Sequence, residues 1–149
     1  MFDILVIFGP NLNLLGKREP EIYGADSMAD ILKELNVEAQ RLGRSIEIIQ
    51  SNEEGVLVTA IQEAHEKATS ILFNLAAYTH TSIALRDALE IFDGPKVEVH
   101  LSNNDSREKF RQVSLTAGVS NGSIVGFGAD SFYLGLHAVH RLLQKREGT

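Results

Sequence analysis

The sequence predicts a doubly wound α/β domain on a five-stranded parallel sheet of order 2-1-3-4-5. Short apolar runs alternate with segments of helical period, the pattern of βαβ units rather than of a sandwich or a bundle. The first apolar run is continuous, as in a strand covered on both faces. The chain has 149 residues, enough to bury a core and the length of one ordinary domain, so a single domain over 1–149 is expected.

The first strand is Ile4 to Phe8, and its unbroken apolarity places it centrally in the sheet. The first main helix starts with Ser27 as N-cap and Asp30 three residues on. It carries Ile31, Leu35, Ala39 and Leu42 at helical spacing and stops at Gly43. The second strand is Ile46 to Ile49, and the next helix runs from Glu53 to Lys67. The third strand is Ser70 to Asn74. A helix then presents Leu85, Ala88, Leu89 and Phe92 on one face before Gly94-Pro95 ends it.

The fourth strand is Lys96 to Leu101, followed by a short helical turn at Arg107 to Phe110 and a fifth strand at Ser123 to Gly126. The last helix, Ser131 to Gln144, buries Phe132, Leu136, Val139 and Leu143. Right-handed crossovers between parallel strands turn this order into a flavodoxin-like sheet with helices on both faces. Residues Gly9 to Asp26 break the regularity. A long patternless loop in a compact domain is usually functional or disordered, and Gly16 and Gly24 are candidate hinges of a mobile lid at about 17–25.

Composition narrows the function. Hydrophobic residues at 44% and charged residues at 23% match a packed globular protein and exclude a disordered one. No cysteine is present, which excludes disulfides, thiolate nucleophiles and zinc ribbons and fits a reducing cytoplasm. The N-terminus lacks a signal-peptide pattern, and no apolar run reaches the roughly 20 residues of a membrane span. The net charge of −6 argues against nucleic-acid and anionic-membrane partners, which need a basic face. A small anionic substrate needs only a few local donors.

Open α/β sheets bind ligands at the carboxyl ends of their strands, where strand order reverses. Here that point lies between the first and third strands. It gathers Asn11, Asn13, Arg18, Glu19 and Tyr23, then Asn74, Tyr78 and His80, then His100, Ser102 and Asn103. Alternation along the fourth strand puts Glu98 and His100 on one face. Two readings stand for that pair: an ion pair on a solvated face, or a carboxylate that orients an imidazole acting as general acid. Two readings also stand for Arg18 and Tyr23. They are either a surface arginine with a loop-packing tyrosine, or a guanidinium that favours the phenolate of a tyrosine base.

Thr79 and Thr81 are candidate hydroxyl caps around His80, and Arg86 and Asp87 a candidate exposed ion pair on the following helix. Asp87 reaches the crevice only if its helix leans over it or a neighbouring subunit supplies it. His80, His100, His137 and His140 show no compact ligand spacing, so no metal is expected, and His137 and His140 are read as surface residues. Gly9 to Gly16 is neither a dinucleotide fingerprint nor a phosphate loop, and no organic cofactor is expected. Lys17 is the one lysine at a strand end that could form a Schiff base.

These residues resemble the type II 3-dehydroquinate dehydratases of the shikimate pathway from end to end. The motifs are Gly9-Pro10-Asn11-Leu12-Asn13-Leu14-Leu15-Gly16, Arg18-Glu19-Pro20, Tyr23-Gly24, Gln50-Ser51-Asn52, Glu54-Gly55, Ala77 to Ser82, Arg86-Asp87-Ala88-Leu89, Glu98 to Asn103, Arg107-Glu108, Phe110-Arg111 and Gly126-Phe127-Gly128. The resemblance implies anti elimination of water from 3-dehydroquinate through an enolate, giving 3-dehydroshikimate. It implies Tyr23 as base, Arg18 as its electrostatic support, His100 as acid oriented by Glu98, and Asn11 as enolate stabiliser through a water. Asn74, His80, Asp87, Leu101, Ser102 and Arg111 would bind substrate.

It further implies a homododecamer of four trimers, with the substrate hydroxyl site completed across a subunit boundary. The sequence departs from the family's usual residues at Phe8 (Asn), Thr59 (Asp), Leu75 (Pro or small) and Phe132 (Tyr). Phe8 and Leu75 are expected near the crevice. Quinate breakdown through the same reaction, a flavodoxin-like cofactor-binding module and a receiver-type signalling domain are the alternatives. A flavin module would want a hydroxyl-rich phosphate loop after the first strand, and a receiver a phosphorylatable aspartate after the third.

Overall fold

In a computed structural model, which describes residues 1–148, five parallel strands form one sheet of order β2-β1-β3-β4-β5. The strands are β1 (Phe2–Phe8), β2 (Ile46–Gln50), β3 (Ala68–Asn74), β4 (Lys96–His100) and β5 (Gly122–Val125). The helices are α1 (Pro20–Tyr23), α2 (Met28–Arg41), α3 (Glu54–Lys67), α4 (Ile83–Ile91) and α5 (Asp130–Glu147). The predicted strand order is therefore the observed one. No helix among the described residues is long and apolar enough to cross a membrane.

Alternation within the central strands explains the layers. Ile4, Val6, Phe8, Leu72, Val97 and Val99 face α2 and α5, while Leu5, Ile7, Ile71 and Phe73 face α3 and α4. α2 opens on a reciprocal cap in which Ser27 Oγ accepts from Asp30 N at 3.1 Å and Asp30 Oδ2 accepts from Ser27 N at 3.0 Å. α5 lies so close to the sheet that a Cβ on Gly135 would stand 2.7 Å from both Leu72 Cδ1 and Val99 Cγ2. Gly135→Ala is expected to overpack this contact and lower unfolding stability by about 1–3 kcal/mol, measured by urea denaturation.

Several expectations change. Residues Gly9 to Asp26 are not structureless, because a 3₁₀ turn at Leu12–Leu14 and helix α1 lie within them. The turn expected at Arg107 to Phe110 is two short 3₁₀ turns, Asn104–Ser106 and Lys109–Arg111. α4 is capped by Ser82, whose Oγ accepts from Leu85 N at 2.9 Å, and not by Thr79 or Thr81. Thr79 is buried and its hydroxyl has no hydrogen-bond partner, while Thr81 Oγ1 reaches back to Ala77 O at 3.5 Å.

Phe8 and Leu75 are fully buried. Phe8 stacks on Phe132 with ring centroids 4.5 Å apart, so two of the departures are one packing contact beneath the strand ends. His140 is half-buried and accepts from Arg44 Nε at 3.0 Å on Nδ1. His137 does lie at the surface, facing Glu38 Oε2 at 3.3 Å.

Candidate active site

The cavity at the carboxyl ends of β1, β3 and β4 has a volume of about 210 Å³. Adjacent register pairs Phe8 with Asn74, and Gly9 N donates to Asn74 O at 2.8 Å, so the two strand ends leave the sheet together. Gly9 is required there, since a Cβ would lie 2.5 Å from the Leu75 carbonyl. Three non-glycine residues have positive φ: Asn11 at 67° and Ala76 at 52°, which line the cavity, and Glu19 at 36°, next in sequence to the lining Arg18. Strain of this kind concentrates where a site needs a backbone group aimed in one direction.

Asn11 is held by its own N–H, which donates to Asn52 Oδ1 at 3.0 Å. Asn52 is held in turn, because its carbonyl accepts from the Tyr78 hydroxyl at 2.7 Å and Gln50 Nε2 donates to its Oδ1 at 3.3 Å. Asn74 Oδ1 accepts from Ala76 N at 2.9 Å, which directs the side-chain NH₂ to the cavity as a donor. His80 Nδ1 lies 2.7 Å from the Val113 carbonyl. A carbonyl only accepts, so Nδ1 carries a proton, and Nε2 is the ring nitrogen left for other partners.

Tyr23 is nearly buried, at 9% exposure, at the end of α1. The Arg18 guanidinium carbon lies 4.8 Å from its ring centroid and that of Arg107 lies 5.0 Å away. Two guanidiniums thus lie against one phenol ring in cation–π contact. Arg107 also donates from Nη1 to Ser102 Oγ at 3.3 Å, and Ser102 Oγ donates to Asn104 Oδ1 at 2.8 Å.

His100 and Glu98 are buried side by side, with Nε2 and Oε2 3.2 Å apart. Nε2 has no hydrogen-bond partner, and the contact becomes an ion pair when the imidazole carries a second proton. Burial pushes the Glu98 carboxyl up, but His100, Thr116 and Ser114 together hold it below the usual carboxylate range. The solvated-face reading of this pair is thus excluded by burial. The His80 and His100 rings are 6.4 Å apart, centroid to centroid.

Asn11, Arg18, Tyr23, Asn74, His80, His100, Leu101, Ser102 and Arg111 all line the cavity, and Glu98 lies behind His100. Asp87 does not line it; it is exposed on α4. Its expected partner Arg86 donates instead to Leu115 O at 2.7 Å. Asn13, Lys17, Glu19, Tyr78 and Asn103 also fall outside, as do Phe8 and Leu75. Tyr78 is absent because its hydroxyl is spent on Asn52. Sequence reasoning missed Arg107 and Asn104 as lining residues and Ser114 and Thr116 as partners of Glu98. Arg107 had a signal, since it lies in one of the quoted motifs.

A cavity of this size, lined by a buried tyrosine, two histidines, arginines and several fixed donors, suits a small polar ligand. Comparison with known proteins agrees. The family model described as dehydroquinase class II matches residues 2–140. The 3-dehydroquinate dehydratase of Trichodesmium erythraeum is 52% identical over 98% of this chain and 97% of its own. That of Geotalea daltonii is 54% identical over 95% and 99%. Among solved structures, the type II dehydroquinase of Butyrivibrio crossotus superposes with a TM-score of 0.91 at 41% identity, covering 93% of this chain and 97% of that one. The chain belongs to the class II dehydroquinase family.

Proposed function

We propose that the chain is a type II 3-dehydroquinate dehydratase of the shikimate pathway, eliminating water from 3-dehydroquinate to give 3-dehydroshikimate. The observation that carries the reading is one cavity holding a doubly cation-flanked tyrosine and a carboxylate-backed histidine. Tyr23, as phenolate, takes the proton from the carbon next to the ketone. The electron pair moves to the ketone oxygen, and the resulting enolate is stabilised by Asn11 through a water. The enolate then collapses, the carbon–oxygen bond to the tertiary hydroxyl breaks, and His100 gives its proton to the departing oxygen.

Arg18 and Arg107 keep the phenolate charged, and Glu98 orients and supports the imidazolium. The remaining lining groups, Asn74, His80, Leu101, Ser102 and Arg111, hold the substrate's hydroxyls and carboxylate. None of these roles calls for a metal or organic cofactor. A flavin module is not favoured, because Pro10-Asn11-Leu12 stands where its phosphate loop would be. The single domain over 1–149 carries residues 17–25 as the segment that closes over substrate.

The test is ultraviolet absorbance after adding 3-dehydroquinate to chelator-treated protein, since the conjugated enone of the product absorbs where the substrate does not. A rising signal is expected, and a folded protein that stays silent overturns the reading.

The cytoplasmic chain acts in this reading as a homododecamer of four trimers in which a neighbour's Asp87 completes the hydroxyl site. Its exposure on α4, beside the exposed Ile83 and Ile91, supports the assignment. Co-expressing Tyr23→Phe and Asp87→Asn chains distinguishes the arrangements. If Asp87 serves a neighbouring site, random pairing restores about a quarter of the sites. If it serves its own, none recover.

A further inference from the structure

Glu98 is held by groups outside the chemistry just described. Ser114 Oγ lies 2.9 Å from both carboxylate oxygens. It accepts from Thr116 N at 3.2 Å and Ala117 N at 2.9 Å, so its own hydrogen is committed to Glu98. Thr116 is fully buried, and its hydroxyl donates to Oε1. That leaves Oε2 for His100 Nε2 at 3.2 Å. Both hydroxyls arrive on the segment that ends in the 3₁₀ turn Ala117–Val119, and its Leu115 N donates to Thr79 O at 2.9 Å.

We propose that Thr116, with Ser114, is a positioning residue for the elimination: the two hydroxyls anchor the Glu98 carboxylate so that Oε2 faces the imidazole of His100. The assignment rests on the proposed role of His100. Its physical basis is that a buried carboxylate lacking donors takes up a proton instead of staying charged. A protonated Glu98 would no longer support the imidazolium. Among the titratable and charged groups of the site, His100 is the one that faces Glu98; His80, Tyr23, Arg18, Arg107 and Arg111 surround the cavity beyond it.

The experiment compares kcat as a function of pH for wild type, Thr116→Val and Thr116→Ser. Valine keeps the shape and removes the donor; serine keeps the donor and removes a methyl group. Thr116→Val is expected to lower kcat about 10- to 100-fold, to leave KM nearly unchanged and to move the acid limb about one to two units toward higher pH, as loss of a hydrogen bond to a charged group implies. Thr116→Ser is expected to behave as wild type.

A valine variant equal to wild type, or a serine variant as impaired as valine, overturns the assignment. If valine does not fold, Ser114→Ala read on the same profile decides it: an unmoved acid limb and unchanged kcat overturn it. Wild-type turnover in the same assay keeps this outcome separate from the proposed function, which fails only if wild type is inactive.

Discussion

Tyr23→Phe is expected to lower kcat by about 10³–10⁴-fold, toward the upper end of what a general base contributes. Phenylalanine keeps the ring, which belongs to the core cluster that also holds Leu12 and Leu15, so thermal stability and KM should change little. The loss therefore belongs to the chemical step, because removing an interaction made only in the transition state lowers kcat and kcat/KM together. Incubation with substrate in D₂O sharpens the result. Without the phenolate, proton loss from the carbon next to the ketone is the slowed step, so product formation and deuterium exchange should fall together. Exchange that persists at the wild-type rate would move the role of base to another group, with His80, whose ring centroid lies 6.4 Å from that of His100, the candidate.

The sheet was legible because each strand is its own apolar run and each main helix has its own periodic stripe. Ile4 to Phe8 reads as central from five successive apolar residues, and all five are buried. The short elements were not legible, for lack of length. Leu12–Leu14 and Pro20–Tyr23 are each about one turn, and one turn has no period. The same limit hid the supports of the site. Arg107 comes from an irregular polar segment and reaches Tyr23 only through the path of the two turns around it.

Ser114 and Thr116 lie 16 and 18 residues beyond Glu98, in a segment with no pattern that would announce a buried hydroxyl. Residues at strand ends could be placed because topology places them; residues on loops that return to the site could not. Phe8 shows the converse. Its position at the end of β1 pointed to the crevice, but side chains alternate along a strand, and its ring turns to Phe132 under the site.

The second large effect separates the two halves of the reaction. His100→Gln is expected to lower turnover by about 10²–10⁴-fold, because the departing hydroxyl then leaves without a positioned proton donor. Tyr23 and its two guanidiniums are untouched by this change, so the first step survives. Deuterium from solvent should therefore enter the carbon next to the ketone while product formation stalls, the reverse of the Tyr23→Phe result. The outcome depends on the enolate living long enough to be reprotonated, which the stabilisation assigned to Asn11 provides. Glutamine leaves Glu98 without its imidazole, and the carboxylate then relies on Ser114 and Thr116 alone. Combining Glu98→Gln with His100→Gln separates disturbance of the buried carboxylate from loss of the proton donor. If His100 carries the proton, the double variant should be no slower than His100→Gln. A double variant slower still, by the full loss of Glu98→Gln alone, would mean that the two residues act independently and that Glu98 does not work through the histidine.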